Sequence, residues 1–131
     1  MRFMICYDGS GQSKIALQLG IRYAHAFKAE ILVATALEGD PKEQLNHLSE
    51  ADKVLTEASK ELEDAGVVFD TKMLPANNLS IGENLVLLAE DKQVDKIILG
   101  INKTSKVGKF VFGSTAQHVI LTSSCPVVTV K

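Results

Sequence analysis

Five apolar runs alternate along the chain with stretches whose apolar residues recur every three or four positions. The first run, Arg2-Phe3-Met4-Ile5-Cys6-Tyr7, is nearly continuous, which suits a central parallel strand covered on both faces. The second is Glu30 to Leu37, apolar and partly β-branched. The third, Val67 to Leu74, is the most polar and suits a sheet edge. Ile97-Ile98-Leu99 closes on Gly100, and Val127-Val128-Thr129-Val130 is the last.

Four helices are predicted between these strands. The first follows Asp8-Gly9-Ser10-Gly11, with Ser10 or Ser13 as its cap, and runs to about Phe27. Ile15, Leu19, Tyr23 and Ala26 form its apolar face. The second begins at Pro41, after a break at Glu38-Gly39-Asp40, and runs to about Ala65 with Gly66 as its C-terminal stop. Its stripe is Leu48, Ala51, Leu55, Ala58, Leu62 and Ala65. The third is capped by Ser80 and buries Ile81, Leu85, Leu88 and Ala89. The fourth spans about Ser114 to Thr122. Strictly alternating strands and helices call for an α/β fold, an open parallel sheet with two layers of helices. Glycine-bearing loops follow the first and fourth strands. In such sheets a ligand sits beyond the carboxyl ends of neighbouring strands where the order reverses, so placing strands one and four side by side gives the order 3-2-1-4-5.

Length and composition narrow the classes. A chain of 131 residues fits a single domain over 1–131. It is long enough to bury roughly 70% of the surface its unfolded form exposes. A net charge of −2 argues against a nucleic-acid binder, which would show a basic excess. No apolar run approaches the ~20 residues of a membrane span, and no signal-peptide core precedes the first strand, so a cytoplasmic location is expected. Cys6 and Cys125 have neither metal nor redox spacing and read as small buried hydrophobes.

The stretch with the most chemistry is 96–115, KIILGINKTSKVGKFVFGST. It reads as a strand ending at Gly100, a loop carrying Lys103, Lys106 and Lys109, and then Gly113-Ser114-Thr115 at a helix start. Glycine admits an anion close to the main chain, a first helix turn offers free N–H groups, and the lysines add charge. Ordinary turn glycines and a solvated loop are the alternative. Asp8 either contacts ribose hydroxyls or a phosphate-held metal, or is a plain Asp-Gly turn residue. His25 and His47 read as surface or packing residues, and His118 as a packing residue near the loop. A P-loop is excluded, because Lys103 and Phe110 stand where Gly108-Lys109 would need a glycine and a hydroxyl. A receiver domain would want an acidic pair at Asp8, and a flavin site more aromatics than Phe110 and Phe112. No hydrolase constellation appears.

Gly100 and Gly113-Ser114, with their spacing, resemble the nucleotide loop of the universal stress protein family: Gly, two residues, Gly, nine residues, Gly, then Ser or Thr. The likeness extends from Met4-Ile5-Cys6-Tyr7-Asp8-Gly9-Ser10 to Cys125-Pro126-Val127-Val128. It implies the same 3-2-1-4-5 fold and a stress-response regulatory protein that binds ATP or AMP, with Mg2+ at Asp8. The implied binding residues are Tyr7, Asp8, Ala36 (through its backbone, to adenine), Gly100, Lys103, Gly113, Ser114 and Thr115. It also implies a homodimer joined through Val127–Val130, an exposed edge in this order. Lys103 departs from the pattern at the second glycine. A positive φ there would strain lysine by roughly 1–2 kcal/mol; alternatively its ammonium replaces a backbone contact with a point charge. A nucleotide-free interaction module and a slow ATPase are the competing functions.

Overall fold

The computed structural model describes residues 1–37, 44–101 and 113–131, with the side chains of the second helix described from His47 onward. The elements are β1 (Arg2–Cys6), α1 (Gly11–Phe27), β2 (Glu30–Ala36), α2 (Gln44–Asp64), β3 (Phe69–Leu74), α3 (Ile81–Asp91), β4 (Lys96–Gly100), α4 (Ser114–Thr122) and β5 (Val127–Val130). The expected break at 38–41, including Pro41, lies outside the described residues. The strands form one parallel sheet in the order β3-β2-β1-β4-β5.

Alternation along the strands divides the core in two. Phe3, Ile5, Tyr7, Ile31, Val33 and Ile98 pack with the buried residues of α1 and α2. Met4, Leu32, Ala34, Ile97 and Leu99 pack with those of α3 and α4. Side chains of successive strand residues point to opposite faces, so an apolar run with no alternation feeds both layers. The edges are the two strands with the least burial, β3 and β5.

Three expectations are corrected. β1 and β2 end one residue earlier than expected, at Cys6 and Ala36, although the Tyr7 and Leu37 N–H groups still donate to Ala34 O and Leu74 O at 2.9 Å. β3 starts at Phe69 because the Val67 N–H turns back to Leu62 O, at 3.1 Å, to close α2. The face of α1 is rotated: Ser13, Ala16, Leu17, Gly20 and Ala24 are buried, whereas Ile15 and Ala26 are exposed. Small residues win here because α1 lies so close to the sheet that a Cβ on Gly20 would collide with Ile5. Leu48 of α2 is likewise exposed. Gly66 has φ +70° at the close of α2, the left-handed conformation a helix-ending glycine supplies.

Candidate functional site

The β1–α1 turn is fixed by its own sequence. Gly9 takes φ +82°, and Asp8 Oδ1 accepts from the Ser10 N–H at 2.9 Å, an Asx turn. Ser10 is the N-cap of α1, with Oγ accepting from Ser13 N–H at 3.2 Å, and Ser13 Oγ donates to Ser10 O at 2.9 Å. These bonds point the first turn of α1 across the carboxyl end of β1.

The first turn of α4 arrives at the same place. Its N-cap is Gly113, and no described side chain caps it. Ser114 and Thr115 are the first helical residues. A helix start leaves several backbone N–H groups without intrahelical partners, and without a side-chain cap they suit an anion. The third contributor is α3, started by a capping box: Ser80 Oγ accepts from Glu83 N–H at 3.1 Å, and Glu83 Oε1 accepts from Ser80 N–H at 3.3 Å.

Between them lies a cavity of about 220 Å3 over the ends of β1, β2 and β4. Asp8, Ser10, Ser13, Gly113 and Thr115 form its polar side; Ala34, Ala36, Ile81 and Leu85 form an apolar wall. Of the eight residues picked out in the sequence, Tyr7, Asp8, Ala36, Gly100, Gly113 and Thr115 line it. Ser114 is exposed and does not. Lys103, with Lys106 and Lys109, lies outside the described residues.

The two motif glycines differ physically. A Cβ on Gly100 would fall 2.6 Å from the carbonyl carbon of Gln12, so glycine is required there for β4 to meet the first turn of α1. No described residue lies within 4 Å of a Cβ on Gly113, whose φ of −60° suits any residue. His118 packs on Gly82 and holds α4 against α3, where a Cβ on Gly82 would approach its Cβ to 2.9 Å.

Burial pushes the Asp8 carboxyl up, but hydrogen bonds from Ser10 and Ser13 outweigh it and hold the group below its ordinary 3.8. Asp8 is therefore an anion at neutral pH. Burial, helped by the Asp8 charge, pushes the Cys6 thiol up to about 12. It remains a neutral thiol on the cavity floor, with no nucleophilic character. Burial, then Glu61, Glu57 and Asp8, raise the Tyr7 phenol. Among the described residues no three His, Cys, Asp or Glu groups could hold a metal ion, so Asp8 offers a cation one carboxylate only.

Sequence reasoning did not single out Ser13, Ile81 or Leu85 as cavity residues. The available signal was position: each lies in the first or second turn of a helix that follows a strand's carboxyl end. A second cavity, of about 250 Å3, opens on the α2 side and shares Asp8 and Ala36 with the first.

Comparison with known proteins gives a consistent result. The model of the universal stress protein family matches residues 1–131. A universal stress protein of Methanocaldococcus jannaschii is 30% identical over 144 residues, covering 99% of this chain and 81% of that one. The solved universal stress protein of Archaeoglobus fulgidus superposes with a TM-score of 0.89 at 25% identity, over 100% of this chain and 98% of its own. The A. fulgidus universal stress protein in complex with dAMP gives 0.84 at 21% identity, over 100% and 98%.

Proposed function

The chain belongs to the universal stress protein family, and on that premise we propose that it binds an adenine nucleotide in the cavity between α1 and α4. The ligand is ATP or AMP. Its base lies along the wall of Ala34, Ile81 and Leu85 and meets the Ala36 backbone. Its phosphates meet the first turn of α4 at Gly113, Ser114 and Thr115, with Lys103 supplying charge. With ATP, Asp8 would be the residue to hold an accompanying Mg2+, which would supply positive charge to offset the phosphates. The observation that carries this reading is one cavity with an apolar wall on one side and, on the other, a helix start with no side-chain cap. The A. fulgidus relative solved with dAMP supports it through the shared fold.

On this reading the protein is a cytoplasmic regulator of a stress response, built as a single domain and paired along β5. It is a binder rather than a catalyst, since Asp8 is the only carboxylate lining the cavity among the described residues. Calorimetric titration with AMP, and with ATP and Mg2+, tests the proposal. Saturable binding at one site per chain is expected. No heat and no thermal shift at millimolar ligand would refute it.

Lys103 motivates a second reading, a nucleotide-free interaction module. The variant Lys103→Gly separates the two: it creates affinity if the module has lost its ligand, and changes an existing affinity only modestly otherwise.

A further inference from the structure

Two polar side chains are buried among the described residues, Ser13 at 3% exposure and Thr35 at 5%. Ser13 Oγ is used within the turn at Ser10. The backbone of Thr35 is paired in the sheet, but its hydroxyl bonds to no described residue, yet no described buried side-chain oxygen is both sealed from solvent and unpaired. Its hydroxyl therefore opens onto the cavity it lines, the one on the α2 side of Asp8. Ile31 and Val33, which precede it on the same face of β2, are apolar and buried. Valine has the shape of threonine and would fill this position without desolvating a hydroxyl.

Asp8 and Ala36 border both cavities. If base and phosphates occupy the first cavity, as proposed above, the sugar joining them lies over the end of β1, beside Asp8. The edge of the sugar away from base and phosphate then faces the second cavity. That cavity offers acceptors: the Thr35 hydroxyl and the Asp8 and Glu50 carboxylates. Two carboxylates repel a phosphate and suit hydroxyl donors, which fixes the direction in which a nucleotide enters.

Resting on the nucleotide reading, we infer that the α2-side cavity reads the sugar: Thr35 Oγ1 accepts from the ribose 2′ hydroxyl, Asp8 and Glu50 accept from the 3′ hydroxyl, and the site thereby selects ribonucleotides over 2′-deoxyribonucleotides. Thr35 is a specificity residue of the site.

The test is calorimetric titration of the intact protein and of Thr35→Val with AMP and dAMP. The native protein binds AMP roughly three- to tenfold tighter than dAMP, the range of one net hydrogen bond. Thr35→Val binds AMP as weakly as the native protein binds dAMP, its dAMP affinity is unchanged, and its thermal midpoint is equal or higher. An equal preference for AMP in both proteins, or none in the native one, overturns the inference and leaves nucleotide binding standing. Failure of the native protein to bind either compound overturns the nucleotide reading as well.

Discussion

Gly100 and Gly113 occupy equivalent-looking places in a glycine-spaced motif, and their surroundings assign them different work. Gly100→Ala forces a methyl group against the Gln12 carbonyl and parts β4 from α1. It should lower the free energy of unfolding by about 1–3 kcal/mol in urea titration, as overpacking does. Gly113→Ser meets no described residue and gives α4 a side-chain cap where the N-cap glycine has none, so stability should hold or rise by a few tenths of a kcal/mol. Its nucleotide affinity should fall, because the new hydroxyl competes for the N–H groups offered to phosphate. Loss of stability in Gly113→Ser would contradict this assignment. The spacing of the motif was legible in the sequence. The contact between positions 12 and 100 was not, because it forms only when two distant elements close on each other. Cys6 permits a pH test at the same scale. Its folded-state pKa is raised, so its contribution is complete below the ordinary thiol value of 9.0 and is lost as pH climbs from 9 toward 12. Urea midpoints should fall across that window in the native protein and fall less steeply in Cys6→Ala; parallel curves would remove Cys6 as the cause.

Strands and helices were placed well by periodicity, because buried strands and amphipathic helices leave opposite signatures in the order of residues. The buried face of α1 was misread. Ile15 and Tyr23 dominate a count of apolar side chains, but the closest approach to the sheet is made by Gly20, Ala16 and Ala24, whose smallness lets the helix in. The more polar character of β3 correctly marked it as an edge. The other edge, β5, is where dimerisation is proposed. Its Pro126 and Val130 carbonyls accept from Ile97 and Ile101 of β4, so by alternation Val128 also bonds inward while Val127 and Thr129 present their backbone outward. Thr129→Pro should therefore remove an outward donor and yield monomers in sedimentation, with the sheet intact. Persistence of dimers in that variant would exclude β5 pairing.

The molecule has two unlike poles. At the amino ends of the strands, Arg2 pairs with Glu30 at 2.6 Å, and its backbone N–H donates to Asp95 Oδ2 at 2.8 Å. Nearby, Lys96 Nζ stands 5.0–5.7 Å from the ring centres of Phe3, Tyr23 and Phe27, which meet one another edge to face. Lys96→Gln should lower stability by about 0.5–2 kcal/mol and leave ligand affinity untouched; a matching loss of affinity would show that the poles are coupled. At the carboxyl ends, the reversal of strand order between β1 and β4 opens the cavity. That reversal was inferable from two glycine loops needing a common neighbourhood, whereas the Ile81 and Leu85 wall depended on how α3 leans over the sheet. The direct test of where a nucleotide sits is an amide-resolved NMR titration with AMP. The largest shifts are predicted at Ser114, Thr115 and Ala116 and in the turn from Asp8 to Ser13, saturating together. Shifts confined to the amino pole or the β3 edge, or none at millimolar AMP, would contradict the account.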